Sequence, residues 1–140
     1  MNHIERREGV ARFFILTTVL GLAWGMTALA QQGYSGRALY ETYCLSCHGD
    51  QGKGDGSFAK LLRKSPADLT QITPLADGSF PAVQVFRTID GRDPVAGHGG
   101  GDMPVWGDAF AKSRDGSSPE AVKAKVDALV RYVRTLQPKS

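Results

Sequence analysis

Two thiols and one imidazole stand close together in the sequence, in the segment Cys44-Leu45-Ser46-Cys47-His48. The chain has 140 residues and only these two cysteines, so no other thiol competes for either of them. A C-x-x-C-H segment is the attachment signature of a c-type haem, in which both sulfurs form thioether bonds and the histidine binds the iron. The two-residue gap lets both sulfurs reach one porphyrin, with the imidazole below its iron. The motif therefore predicts one covalently bound haem c.

Three other uses of this segment fit the sequence less well. A zinc site would need four ligands, and His98 stands alone far downstream instead of forming a second compact ligand pair. A thioredoxin-like dithiol would follow a strand in a βαβ pattern, whereas the residues before Cys44 have a helical pattern. A disulfide across two residues would close almost no loop and would stabilise little.

The first 30 residues have the features of a secretory signal peptide. Three arginines precede a charge-free apolar run over residues 13–30, which ends in Ala28-Leu29-Ala30. This order predicts cleavage between Ala30 and Gln31. A retained membrane anchor is the alternative, because the run is just long enough for a spanning helix. In either case residues 31–140 would lie in the periplasm or face it from the membrane.

Residues 31–140 are enough for one small core, so we expect a single domain there. The formal net charge of the whole chain is +3, and removal of residues 1–30 together with two haem propionates would bring it close to zero. No basic stripe interleaved with aromatic residues is present, which argues against nucleic-acid binding.

Helical patterns lie on both sides of the motif. Residues 36–44 are amphipathic and run into the motif, so the first helix should end near His48. Gly36 lies one turn before Tyr40, and its expected use is the close approach of another helix. Residues 49–56 contain four glycines and predict a tight loop with several positive φ angles.

Further helices are predicted downstream, and no run of residues has a strand pattern, so the fold class is all-α. One or two helical turns are expected within Ser57–Lys64, and a short helix within Trp106–Lys112. A helix over residues 80–90 should bury Phe80, Val83, Phe86 and Ile89 and end at Gly91. The last helix should begin at Ser118-Pro119, end before Pro138, and bury one face. That face comprises Val122, Val126, Leu129, Val130, Val133 and Leu136, with Tyr132 at its border.

The second axial ligand of the iron decides what such a haem can do. Two candidates remain in residues 31–140, namely His98 and Met103. Met103 stands in Gly-Asp-Met-Pro-Val-Trp-Gly, where Pro104 stiffens the loop and the preceding glycines let the backbone approach the ring. His98 lies five residues earlier in a glycine-rich stretch and could replace it, although a plain surface histidine is the simpler interpretation.

Taken together, the sequence resembles a class I cytochrome c of the bacterial monohaem kind over residues 34–137. The matching features are C-x-x-C-H followed by H-G-x-x-G-x-G-D-G, the Met-Pro loop, and a last helix ending L-V-x-Y-V-x-x-L-Q. The resemblance implies four to five helices around one haem. It also implies thioethers at Cys44 and Cys47, with His48 and Met103 as the axial ligands.

The same resemblance implies how the ligands are supported. The first and last helices should cross, with Gly36 and Tyr40 against Leu129 and Tyr132 or Val133. The carbonyl of Pro66 should accept the ring N–H of His48 and fix its tautomer. Trp106 and Arg87 are candidates for contacts to the haem propionates, with core packing and a solvated helix face as their respective alternatives.

With both axial positions filled, the iron has no open site, and the capacity that remains is one-electron exchange. We therefore expect a periplasmic electron carrier, not an enzyme. Its partners would be redox proteins, a donor dehydrogenase or reductase and an acceptor oxidase or reductase. One alternative is a cytochrome subunit fixed in a dehydrogenase or oxidase complex. Another is a haem peroxidase or gas sensor in which Met103 is labile.

Overall fold

The structure is a computed structural model that describes residues 33–92, 103–114 and 117–139. These residues form six α-helices and two single 3-10 turns, and no strand occurs among them, which confirms the all-α prediction. The α-helices are α1 (Gly36–Tyr43), α2 (Leu45–His48), α3 (Ile72–Leu75), α4 (Ala82–Asp90), α5 (Trp106–Ala111) and α6 (Pro119–Thr135). The 3-10 turns are Ala59–Leu61 and Leu69–Gln71.

The chain from Gly33 onwards forms one compact unit. The predicted signal peptide, its cleavage position and His98 lie outside the described residues. None of the helices in the described part of the chain has the length and apolar character that a membrane crossing needs.

Helices α1, α4 and α5 pack on α6, and α6 begins where the sequence predicts. The Ser118 hydroxyl accepts a hydrogen bond from the Ala121 N–H at 3.2 Å, and Pro119 occupies the first helical position. Five of the six predicted apolar positions are buried, and Leu136 is half-buried. The core of the described residues is dominated by this face together with Tyr40 of α1 and Phe110 of α5.

Helices α1 and α6 cross at Gly36, as predicted. A Cβ on Gly36 would collide with the carbonyl oxygen of Ala128 and lie 2.9 Å from the Cβ of Tyr132. The rings of Tyr40 and Tyr132 also contact each other, with centroids 5.0 Å apart. The crossing therefore requires glycine at position 36, where the bare backbone lets α6 approach.

The buried face of α4 differs from the sequence prediction at Val83 and Val85, and the predicted Phe80 and Phe86 are half-buried. Val83 is 71% exposed, whereas Val85 and Ile89 are buried. The helix begins at Ala82, so Phe80 lies before it and does not set its phase. Val85 and Ile89 are one helical turn apart, while Val83 lies about 200° around the axis from Val85. Gly91 ends the helix in the left-handed conformation, φ 70°, as predicted.

The segment between the glycine loop and α4 contains structure that the sequence pattern did not reveal. The predicted turns within Ser57–Lys64 reduce to one 3-10 turn, and α3 was not predicted. The side chain of Gln137, just beyond α6, joins this segment to the core. Its amide donates to the Leu69 carbonyl at 2.7 Å, and its oxygen accepts from the Thr73 N–H at 2.9 Å. These hydrogen bonds link residues that are far apart in sequence, so no local sequence pattern predicts them.

Candidate haem site

The cysteine motif forms one turn of helix that almost continues α1. The Cys44 N–H donates to the Tyr40 carbonyl at 2.9 Å, and the Cys44 carbonyl accepts from the His48 N–H at 2.9 Å. Cys44 therefore belongs to the end of α1 and to the start of α2. Residues three apart on a helix share a face, so the thiols of Cys44 and Cys47 lie on one side of this turn. Neither cysteine forms a disulfide, and both are half-buried.

The environment of Cys44 is unlike that of a reactive dithiol. Burial, followed by the neighbouring Cys47 thiol, raises the pKa of Cys44 to about 12. At neutral pH the thiol is therefore protonated, whereas redox and zinc chemistry use the thiolate. The described residues also contain no group of three or more His, Cys, Asp or Glu side chains that could hold a metal ion.

His48 is oriented by a backbone carbonyl of a later segment. Its Nδ1 lies 3.1 Å from the carbonyl oxygen of Ala67. Because a carbonyl can only accept, Nδ1 carries the proton, and Nε2 keeps its lone pair for a metal. Burial lowers the pKa of His48, an effect partly offset by the Ala67 carbonyl, so the neutral imidazole is favoured. Neutral imidazole is the form that binds iron.

The prediction that Pro66 supplies this carbonyl is wrong by one residue. Consecutive carbonyls of a non-helical segment point in different directions, so only one of the two faces the imidazole. The Pro66 carbonyl instead lies against Gly54, where a Cβ would collide with its oxygen and lie 3.2 Å from its carbon. The glycine loop therefore supports the segment that orients His48.

The glycine loop folds back over the end of α2. The last carbonyls of a helix have no partner within the helix, and loop N–H groups satisfy three of them here. The bonds are Phe58 N–H to Ser46 O at 2.8 Å, Gly56 N–H to Cys47 O at 3.1 Å, and Gly54 N–H to His48 O at 2.9 Å. Positive φ angles occur at Gly49, Gly52 and Gly54, as the sequence predicted for this loop.

A buried tyrosine fixes the residue that follows the histidine. The hydroxyl of Tyr40 donates to the Gly49 carbonyl at 2.6 Å, and its side chain is 1% exposed. Burial raises the pKa of this phenol above its ordinary value, so it remains a donor at physiological pH. The sequence indicated only a packing role for Tyr40. Its spacing from His48 carries no signal of this hydrogen bond.

Three aromatic rings connect the motif to the segment that carries Met103. Tyr43, which directly precedes Cys44, lies 5.3 Å from both Trp106 and Phe110, and these two stack at 5.8 Å between centroids. Trp106 is thus packed among aromatic side chains, in keeping with its core-packing alternative. Arg87 is exposed and lines an open cleft of about 470 Å³ with residues 81–84. Contacts of either residue to haem propionates remain predictions.

Met103 is accessible at the approach to α5, with 37% of its surface exposed. It belongs to a set of exposed large apolar side chains, which are Phe58, Leu61, Leu75, Val83, Met103 and Val105. Two free thiols on one helical turn can form the two thioether bonds of a c-type haem. A neutral imidazole with Nε2 available and the sulfur of Met103 are side chains that can bind its iron, so the residues present fit this group.

Comparison with known protein families finds a match. The model of the family described as cytochrome c oxidase, cbb3-type, subunit III matches residues 31–133. No curated protein and no solved structure matches the chain significantly. The family match spans the motif, the glycine loop, Met103 and most of α6.

Proposed function

The chain belongs to this family, which makes it a class I c-type cytochrome, and we propose that it is an extracytoplasmic carrier of single electrons. Membership supports haem binding and electron transfer as its general function. The covalent attachment of the haem and the identity of its iron ligands are our proposal. One haem is bound covalently through Cys44 and Cys47, with His48 and Met103 on the two sides of the iron.

The orientation of His48 is the observation on which this proposal chiefly rests. The hydrogen bond from Nδ1 to the Ala67 carbonyl holds the imidazole in one tautomer and leaves Nε2 as the only nitrogen able to bind iron. When bound, the haem supplies the one-electron redox chemistry. Cys44, Cys47 and His48 would hold the haem in place, and Met103 as the second iron ligand would keep dioxygen and peroxide from binding.

Absorption spectroscopy of the purified haem-loaded protein tests the ligand set. Oxidised and reduced spectra are recorded before and after addition of carbon monoxide or imidazole. We expect a methionine-type spectrum in the wild type, which carbon monoxide leaves unchanged and which imidazole alters only at high concentration. Met103→Ala should open the site and bind both ligands, while His98→Ala, the control, should behave like the wild type. Ready binding of carbon monoxide to the wild type would support the sensor or peroxidase alternative and refute the carrier.

Covalent attachment is tested separately by denaturation. Haem should stay with the wild-type chain in a denaturing gel and in intact-mass analysis. Cys44→Ser and Cys47→Ser should each keep one thioether bond at most, and the double variant should lose haem on denaturation. Release of haem from the denatured wild type would refute attachment through the cysteines.

A second candidate is a cytochrome subunit fixed in a larger redox complex. The matched family is described as a subunit of a cytochrome c oxidase, and this description favours the candidate. The two candidates differ in what happens to residues 1–30. A free periplasmic carrier should begin at Gln31 after cleavage, whereas an anchored subunit should retain the segment and sediment with membranes. The N-terminal sequence and intact mass of the protein from both fractions distinguish the two.

A further inference from the structure

Two short segments that are far apart in sequence meet beside the helix that follows Met103. Gly91 ends α4 with φ 70°, and a Cβ there would lie 3.2 Å from the Cα of Val105. Asp90 and Arg92 lie on either side of Gly91 and contact Gly107 of α5. Residues 90–92, before Met103 in the chain, are therefore in contact with residues 105–107, which follow it. Residues 93–102 between them lie outside the described residues.

Asp90 and Arg92 form a close ion pair at this junction. The Arg92 Nε donates to both carboxylate oxygens, at 3.0 and 3.1 Å, and its Nη2 lies 2.8 Å from Oδ1. Asp90 is buried, with 8% of its surface exposed, so its carboxylate depends on this partner. The carboxylate raises the pKa of Arg92, chiefly through the hydrogen bond, so the guanidinium stays charged. Because the guanidinium is planar and makes three contacts, it also fixes the orientation of the two side chains relative to each other.

Gly107 allows the pair to lie against α5. A Cβ at this position would collide with the Asp90 carboxylate and would lie 2.9 Å from its Cγ. The Arg92 Nε lies 2.5 Å from the same point. Only glycine leaves this space open, so the pair and the first turn of α5 fix each other's positions. We call Asp90, Arg92 and Gly107 the clasp.

We propose that the clasp positions Met103 for the iron and sets how firmly it stays there. This inference rests on the proposed function, in which Met103 is the second axial ligand. Met103 is two residues before Val105, which contacts Gly91, and four residues before Gly107. Pro104 restricts the backbone between them. The clasp thus limits the positions that the Met103 thioether can reach, and a ligand that is already in place loses less entropy on binding.

The competition between Met103 and added imidazole for the oxidised iron measures this effect. An exogenous imidazole binds only when Met103 leaves, so its apparent affinity reports how firmly the thioether is held. Arg92→Gln and Asp90→Asn in the haem-loaded protein should each bind imidazole about tenfold more tightly than the wild type, equivalent to about 1.4 kcal/mol. Gly107→Ala, which forces the pair aside without removing a charge, should act in the same direction. Arg92→Lys keeps the charge but loses the planar contact and should fall between wild type and Arg92→Gln.

A matched control is available on α1. Arg37 Nε donates to Glu41 at 2.8 Å in an exposed pair, so Arg37→Gln makes the same chemical change away from the iron. This variant should bind imidazole within twofold of the wild type. Urea unfolding of every variant is measured in parallel. A lower urea midpoint for Arg92→Gln and Asp90→Asn with unchanged imidazole affinity would show a merely structural role and overturn the inference.

Met103→Ala separates failure of the inference from failure of the ligand assignment. If this variant binds imidazole more tightly while the clasp variants do not, Met103 is the ligand and the clasp does not position it. If it leaves both the iron spectrum and the imidazole affinity unchanged, Met103 is not the ligand. The proposed ligand set and the inference are then both wrong.

Discussion

Replacing Gly54 by alanine should move the carbonyl that orients His48 and so change the haem potential. Gly54 has φ 76°, and its position is filled on the side where a Cβ would stand. A new methyl group would collide with the Pro66 carbonyl oxygen and lie 3.4 Å from the carbonyl carbon of Ala67. The segment must shift to admit it. The Ala67 oxygen, 3.1 Å from Nδ1 of His48, would shift with it.

The effect on stability has two parts, which Gly78→Ala separates. Gly78 has φ 78°, but nothing lies within 4 Å of the position of its Cβ. Alanine at either site has the cost of a left-handed conformation, about 1–2 kcal/mol. Gly54→Ala adds overpacking against backbone, about 1–3 kcal/mol. In urea unfolding we therefore expect a loss of about 1–2 kcal/mol for Gly78→Ala and about 2–5 kcal/mol for Gly54→Ala.

Only Gly54→Ala, and not Gly78→Ala, should change the reduction potential of the haem. The bond from Nδ1 to Ala67 makes the imidazole more basic, and a more basic ligand favours the oxidised, more positive iron. Weakening this bond should therefore raise the reduction potential. If the oxidised iron loses about 0.5–1 kcal/mol of stabilisation relative to the reduced iron, the reduction potential rises by about 20–40 mV for a one-electron couple. Spectroelectrochemical titration measures the shift. An unchanged potential for Gly54→Ala, or an equal shift for Gly78→Ala, would refute the argued role of the Ala67 carbonyl.

Two further substitutions test the packing around the site. Gly36→Ala would gain up to about 1 kcal/mol in helix propensity, but its methyl group would collide with α6. Urea unfolding should therefore show a net loss of about 1–2 kcal/mol in the free energy of unfolding. The control Gly33→Ala should show no such loss, because nothing lies within 4 Å of the position of its Cβ. Tyr40→Phe should lose about 1 kcal/mol with the bond to Gly49, and Tyr132→Phe should lose little. Because burial raises the pKa of Tyr40, the unfolded chain releases the phenol proton first, and wild-type stability should fall as pH rises above about 10. Tyr40→Phe should lack that part of the pH dependence, and an identical decline in both proteins would contradict the assignment.

The sequence was most informative where a local pattern determines the structure. The cap at Ser118-Pro119 and the apolar face of α6 depend on residues close in sequence, and both were predicted. The glycine loop was predicted for the same reason, since the positive φ angles require glycine locally. The approach of α6 to Gly36 was also foreseen, because a glycine within a helix has a limited set of uses.

The sequence was least informative where the partner lies far away in the chain. The Pro66 error arose because the choice between neighbouring carbonyls depends on how the glycine loop packs on them, at Gly54. The buried face of α4 was wrong at Val83 because the phase was counted from Phe80, which precedes the helix. The clasp was not foreseen at all. In the sequence, Asp90 and Arg92 are two charged residues beside the end of a helix, and nothing in the local pattern indicates that Gly107 packs against them.

The two proposed ligands differ in how they are held, and this difference bears on function. His48 is the last residue of α2, whose end is bound by three loop N–H groups, and its ring is fixed by Ala67. Met103 stands in an exposed loop whose restraint comes from its flanks, at the clasp and at Trp106. An electron carrier needs both ligands to stay bound in either oxidation state, because exchange of a ligand would add a barrier to every electron transferred. A gas sensor instead needs one ligand to leave. We therefore expect the contacts beside Met103 to favour one of these two functions over the other.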